Sequence, residues 1–336
     1  MQLTSIAPVR KPLLRTTLRI AGLGTYVPEH RITNEELSVI VDTDDEWIRR
    51  RTGIRERRKS RDDEFTSDLC LGAVAALVAG GATLDEVDYV IAATISPDYQ
   101  FPSVSSIVQD QLGLRNVGAI DIGAACAGFA YALDLADALI STGRARNVLV
   151  LAGETLTKIT DYRDRSMCIL FGDGAGAALV TPDDGSGSAI LARRLNSDGA
   201  AGKHLFMTAL KKEIAGIIEP EHFMRQNGRA VYEWVVTNVT TGINELLASA
   251  EVRADEIDWF IPHSANARMI EAVRERCGIP ADRTLTSMQW FGNTSSASIP
   301  LALAPAIADG RVQRGDRVLL YGFGGGLVEA GLLLRW

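Results

Sequence analysis

Residues 126–144, CAGFAYALDLADALISTGR, lie over residues 293–311, NTSSASIPLALAPAIADGR, without a gap. The overlay pairs Ala130 with Ala297, Ile140 with Ile307, Gly143 with Gly310 and Arg144 with Arg311. Two further segments repeat in the same order: LDEVDYVI (84–91) with ADEIDWFI (254–261), and VLVLAG (148–153) with VLLYGF (318–323). One such match is what short α/β segments show by chance. Three in order, at nearly equal offsets, point to an internal duplication. The two related halves are then residues 1–182 and 183–336, joined at the Gly/Ser/Asp-rich stretch TPDDGSGS (181–188). A pseudo-twofold axis between them is expected to bring Cys126 and Asn293 together.

Outward from the repeat, strand-like apolar runs alternate with helix-like segments, the pattern of a layered α/β protein. Residues 18–26 read as a first strand, and 89–93, 119–122 and 147–152 as buried strands rich in Val, Ile and Leu. Residues 33–40 open a helix with Thr33 and Glu36 spaced as a capping box, and 67–79 read as a second helix. The chain of 336 residues, 46% hydrophobic and 23% charged, can build a sizeable core, which excludes disorder and collagen. Its apolar runs fall short of a membrane span. The net charge of −7 argues against a dedicated nucleic-acid binder. The four cysteines form no C-x-x-C pair and the four histidines no H-E-x-x-H, so neither a disulfide framework nor a metal site is expected. The first 17 residues lack the apolar stretch of a signal peptide, which reads as a short extension of an intracellular, cytoplasmic protein.

Cys126 stands where a strand gives way to small residues and a helix with few polar side chains. The free N–H groups of a helix start favour thiolate over a thiol of pKa ~8.5. Cysteine is also among the most buried residue types, so position alone leaves an inert core residue open. Cys70, Cys168 and Cys277 read as core. His263 in FIPHSANARMI sits where a strand meets a loop, and Asn293 precedes a second small-residue helix start. A thiol with two neutral hydrogen-bond donors suits acyl transfer through a thioester and stabilisation of an enolate oxygen. The glycine stretches 172–178 (GDGAGAA) and 322–326 (GFGGG) lack the partners of a nucleotide loop and read as close backbone packing around the centre. The basic run 46–61 (EWIRRRTGIRERRKSR) reads as a solvated surface. Alternatively it is a mouth for a phosphate-bearing molecule, with Trp47 offering a face to a base; nucleic acid is disfavoured by the overall charge.

ACAGF, PHSANARMI, GNTSSAS and GFGGGL, with DEWIRRRTGIRERR and FGDGAGAALV, resemble the β-ketoacyl-[acyl carrier protein] synthase III family over nearly the whole chain. The resemblance implies a thiolase-like fold: two pseudo-symmetric halves in five α-β-α-β-α layers, acting as a homodimer without metal or redox cofactor. It implies that Cys126 is acylated by a short acyl-CoA and that His263 and Asn293 promote decarboxylation of malonyl-[acyl carrier protein]. Backbone N–H groups of Cys126 and Gly325 would form the oxyanion hole. Trp47 and Arg165 would hold the adenine of coenzyme A with Thr43 nearby, Arg51 would meet its phosphates, and Asn266 the pantetheine arm. Arg268 would help dock the acyl carrier protein. Phe101 would reach across the dimer into the partner's acyl pocket, which Gln226 also borders. HSAN in place of HQAN, Gln226 before Asn227-Gly228, and LVEAG after GFGGG depart from the family pattern and bear on the primer pocket. Three alternatives remain beside this reading: a related condensing enzyme of polyketide or secondary metabolism, a catalytically silent acyl-CoA-binding protein, and a Cys-His-Asn protease.

Overall fold

The computed structural model describes residues 18–336; the N-terminal extension lies outside the described residues. A five-stranded sheet runs in the order Leu18–Tyr26, Gly174–Pro182, Val148–Glu154, Tyr89–Ala93, Gly118–Ile122. The last three strands are parallel, and Gly174–Pro182 is antiparallel to both of its neighbours. A second sheet repeats this plan with Ala189–Ser197, Val328–Arg335, Arg317–Gly324 and Trp259–Pro262. Val328–Arg335 is again antiparallel on both sides, and Arg317–Gly324 pairs in parallel with Trp259–Pro262. A single parallel bridge from Phe260 to Thr284 stands where the first sheet has its fifth strand.

Helices Gly128–Ser141 and Ser298–Ala308 lie between the sheets. Both are apolar nearly all round, as a doubly covered helix must be. Phe129, Ala130, Ala132, Leu133 and Ala136 are fully buried on the first, and Ile299, Leu301, Leu303 and Ala306 on the second. One continuous core joins them to strands of both sheets. Thr66–Ala79 and Val104–Gln111 cover the outer face of the first sheet. There the strand Leu18–Tyr26 needs a glycine, since a Cβ on Gly24 would fall 2.2 Å from Leu77 N. The helical stretch 228–249 and Ala267–Cys277 cover the outer face of the second sheet. The order is helix, sheet, helix, sheet, helix: the five layers and two matched halves expected from the sequence.

The repeat is offset at one place. The turns Ala125–Ala127 and Ser295–Ala297 are counterparts: Ala125 and Ser295 share a left-handed backbone (φ 44° and 47°), and each turn leads into its central helix at Gly128 or Ser298. Cys126 is therefore opposite Ser296, not Asn293. The gapless overlay holds at the helix C-termini, where Gly143 and Gly310 both take positive φ. It slips at the start because the first helix has 14 residues and the second 11. A second correction concerns residues 119–122. The strand Gly118–Ile122 is the edge of its sheet and half-buried, with Ile120 42% exposed. No helix among the described residues is long and apolar enough to cross a membrane.

Candidate active site

The two central turns meet near the pseudo-twofold axis. Cys126, His263 and Asn293 line one mostly apolar cavity of about 580 Å³ beside them. Cys126 stands in the turn Ala125–Ala127, one step before the helix, and is 7% exposed. The glycine run of residues 322–326 backs directly onto it. A Cβ on Gly324 would lie 2.7 Å from Cys126 Sγ, and one on Gly322 would lie 2.6 Å from Ala127 Cα. These glycines serve close backbone approach, as read from the sequence. The backbone N–H groups of Gly325 and of Cys126 itself favour the anionic form of the sulfur. Burial outweighs them and pushes the Cys126 thiol up to about 11. The expectation that the helix start favours thiolate is corrected: desolvation wins, and the resting group is a thiol.

His263 follows the strand Trp259–Pro262 and is 1% exposed. Its backbone N–H donates to Tyr321 O at 2.8 Å, and its ring packs edge-on to Phe323 at 5.4 Å. Nδ1 lies 2.8 Å from Ser298 Oγ, which accepts the Ser264 N–H at 3.2 Å. The Ser298 hydroxyl has no other acceptor among the described residues, so it donates to Nδ1 and the ring keeps its proton on Nε2. Burial lowers the imidazole to about 3, which keeps it a neutral donor at physiological pH.

Asn293 is pinned through its backbone: its N–H donates to Leu170 O at 2.8 Å, and its carbonyl accepts from Gly172 N at 3.1 Å. Asn293 Oδ1 accepts the Ser295 N–H at 2.9 Å. Asn293 lines the cavity, and its amide nitrogen has no acceptor among the described residues. Two neutral donors and a thiol in one mostly apolar cavity fit the chemistry inferred from the sequence.

Sequence reasoning singled out neither Ser295, a buried residue lining the cavity, nor Glu154, buried at the end of the strand Val148–Glu154. One lies in a run of small polar residues and the other at a strand end, and a single chain carries no signal separating them from ordinary core polar groups.

The remaining candidates spread around the cavity and its rim. Asn266 lines the cavity and caps the helix Ala267–Cys277, Oδ1 accepting from Met269 N at 3.1 Å. Gln226, on a short strand with Met224, forms another wall. Trp47, Arg50, Arg51 and Arg268 border a separate hollow of about 270 Å³. Trp47 carries the guanidinium groups of Arg165 at 4.9 Å and Arg51 at 5.4 Å. Arg165 also donates to Asp42 O at 2.7 Å. Arg165 and Trp47 touch, so a base entering between them has to part them. Thr43 holds a buried hydroxyl without a hydrogen-bond partner among the described residues, and Arg268 lies over Tyr232 at 5.9 Å. Phe101 is 86% exposed and does not reach this chain's own cavity. Within the basic run, Arg57 corrects the solvated-surface reading. It is 1% exposed and donates to Ile32 O, Asn34 Oδ1 and Ile169 O, with burial lowering it to about 10.

Comparison with known proteins places the chain in one family. The family model described as 3-oxoacyl-[acyl-carrier-protein (ACP)] synthase III matches residues 120–199, and its C-terminal counterpart matches residues 247–336. A β-ketoacyl-[acyl-carrier-protein] synthase III 2 of Halalkalibacterium halodurans is 50% identical over 321 residues, 95% of this chain and 96% of the relative. One of Staphylococcus epidermidis is 49% identical over 96% of this chain and 99% of its own length. Among solved structures, a β-ketoacyl-[acyl carrier protein] synthase III of Thermus thermophilus superposes with a TM-score of 0.90 at 42% identity, covering 94% of this chain and 98% of that one.

Proposed function

The chain belongs to the 3-oxoacyl-[acyl-carrier-protein] synthase III family, and from that premise we propose how its residues divide the work of a condensing acyltransferase that starts fatty-acid chains. The observation that carries the proposal is the shared cavity. A thiol beside two backbone N–H groups meets two neutral side-chain donors there, between mostly apolar walls.

A short acyl-CoA enters over the Trp47–Arg51 rim, and Cys126 Sγ attacks its thioester carbonyl. The N–H groups of Cys126 and Gly325 hold the developing oxyanion, and coenzyme A leaves. Trp47, Arg165, Arg51, Thr43 and Asn266 hold the coenzyme, adenine end to pantetheine arm. Malonyl-[acyl carrier protein] follows, its carrier domain docking on the Arg268 face. Its thioester oxygen takes hydrogen bonds from His263 Nε2 and Asn293 Nδ2. Both donors are neutral, so they stabilise the enolate left by carbon dioxide without first being discharged. The enolate carbon attacks the Cys126 thioester, and a β-ketoacyl-[acyl carrier protein] departs. The reaction needs no metal or redox cofactor, because loss of carbon dioxide drives formation of the carbon–carbon bond. The working unit is a cytoplasmic homodimer of chains built from the halves 1–182 and 183–336, with Phe101 closing the partner's acyl pocket opposite Gln226.

Primer scope is short and includes branched chains, as Gln226-Asn227-Gly228 and HSAN suggest. The test offers acetyl-, isobutyryl- and decanoyl-CoA with malonyl-[acyl carrier protein] and follows the β-ketoacyl product. Turnover of the two short primers with little of the ten-carbon one is expected. Equal turnover of acetyl- and decanoyl-CoA contradicts the short-chain assignment, and products formed only on free CoA acceptors contradict the fatty-acid role.

A further inference from the structure

Residues 55–58 of the basic run thread between the two segments that hold Asn293. On one side the Arg55 N–H donates to Gln289 O at 2.9 Å, and on the other Arg58 O accepts the Asp173 N–H at 2.9 Å. Between them the Arg57 side chain is 1% exposed. A Cβ on Gly172 or on Gly292 would lie 3.0 Å from Arg57 Cβ, so the stem packs against both segments at once. The guanidinium donates to Ile169 O and Asn34 Oδ1, each at 2.8 Å, and to Ile32 O at 3.2 Å. All three acceptors are neutral oxygens. The mechanism set out above gives this buried cation no task.

Resting on Asn293 as a donor to the malonyl thioester, we propose that Arg57 is a positioning residue that fixes Asn293 for decarboxylative condensation. The grip runs through the backbone. Arg57 holds the Ile169 carbonyl, and the next carbonyl, Leu170 O, accepts the Asn293 N–H at 2.8 Å. Two residues on, the Gly172 N–H donates to Asn293 O at 3.1 Å, and Phe171 bridges Asn293 in parallel. Asn293 thus hangs from a segment whose own anchor is the guanidinium. The Cys126 turn packs instead on the glycine run of residues 322–326. Loss of Arg57 therefore reaches the second stage of the reaction and spares the first.

The choice of arginine fits this task. A packing role alone would be met by an apolar side chain of similar length, without the desolvation of a charge. Burial lowers the guanidinium only to about 10, so it stays charged at neutral pH and holds its acceptors with charge-assisted hydrogen bonds. Its planar fork reaches the stretch 32–34 and the loop at Ile169 together. A lysine offers one point charge and cannot span both. The two glycines complete the arrangement, since a side chain at either would push the stem away from the segment it steadies.

The experiment compares Arg57→Lys, Arg57→Met and Asn293→Ala with wild type in the full chain. Labelled acyl transfer to Cys126 is read beside β-ketoacyl product, both at saturating acyl-CoA. Each Arg57 variant should acylate like wild type, while kcat for condensation falls roughly 100-fold, the effect of about an ångström of misplacement. KM for malonyl-[acyl carrier protein] should change little. Adding Arg57→Lys to Asn293→Ala should leave the rate within about twofold of Asn293→Ala alone, because both act through one amide. Hydrogen exchange of the peptide spanning residues 288–296 should quicken about tenfold, with the Cys126 and His263 peptides unchanged. Wild-type condensation in Arg57→Lys overturns the proposal, as do acylation and condensation falling together or losses that multiply in the double variant. Should neither Arg57 variant fold, Asn34→Ala decides: it removes one acceptor and should lower condensation about tenfold with acylation kept. Asn34 also donates to Asp45 Oδ1 at the start of the Trp47 helix, which is why acyl-CoA is held saturating. Full condensation in Asn293→Ala would strike the Asn293 assignment itself, and the exchange rates still judge whether Arg57 holds that segment.

Discussion

At the scale of single residues, burial sets the charge states on which the chemistry depends. His263 has no ionised partner to offset its desolvation, and its Nδ1 is taken by Ser298, so the neutral ring persists far below the ordinary histidine range. In ¹⁵N-labelled protein the His263 signals should stay those of a neutral Nε2–H imidazole from pH 8 down to pH 5. A midpoint near 6.5 would show that the ring is solvated and the donor assignment wrong. The same depression has a consequence for stability. Unfolding exposes a histidine of ordinary pKa, so the unfolded state binds the extra proton first. The His263 contribution is whole above about pH 6.5 and is lost as pH falls toward 3. Cys126, His263 and Asn293 were legible because a nucleophile, a base type and an amide each stand at a strand end or helix start in a distinctive string. The reversal of Cys126 toward the thiol was not legible, since desolvation depends on what closes around the sulfur from the other half. Glu154 escaped for a related reason: its Oε1 accepts from Ser296 Oγ, 142 positions away in the chain, a contact that no local pattern encodes.

At the scale of elements, the two central turns and the glycine strand-end form one packed unit. Gly324→Ala should leave the sheets intact but drive a methyl into Cys126. The Cβ would fall 2.6 Å from Cys126 Cβ with no flexible neighbour to yield. Acyl incorporation should drop by roughly 100-fold, since misplacement by about an ångström costs that much, while far-ultraviolet circular dichroism stays native. Unchanged incorporation would mean that the strand-end relaxes freely and does not position the thiol. The strands and helices themselves were well marked. The capping box at Thr33 and Glu36 is present, and the strand expected at residues 89–93 falls there. What was missed came from packing. Residues 119–122 are apolar enough for a buried strand, yet their sheet offers them only one neighbour. Arg57 sits in a run of cations that any local reading places in water. The loops of residues 169–172 and 291–293 close over it, and three oxygens satisfy its guanidinium.

For the whole molecule, the half-covered edge strand Gly118–Ile122 and the nearby Tyr99 and Phe101, 62% and 86% exposed, leave an apolar margin. An uncovered strand edge of this kind invites pairing, which supports the proposed homodimer. Light scattering should give twice the chain mass at working concentration, and Phe101→Ala should alter primer preference more than the rate with acetyl-CoA. An active monomer would contradict the shared pocket. The duplicated architecture, read from three short repeats, gives each half a different task. In the proposed mechanism the first supplies the nucleophile, and the second supplies the donors that act once the sulfur is already acylated. That division is the central claim, and it is tested by following labelled acyl transfer from acyl-CoA into protein beside formation of β-ketoacyl product. Cys126→Ala should abolish both. Asn293→Ala should keep acylation and lose condensation by about 100- to 1,000-fold, the usual loss for one such donor. If Asn293→Ala instead abolished acylation as completely as Cys126→Ala, the two halves would not divide the reaction in this way.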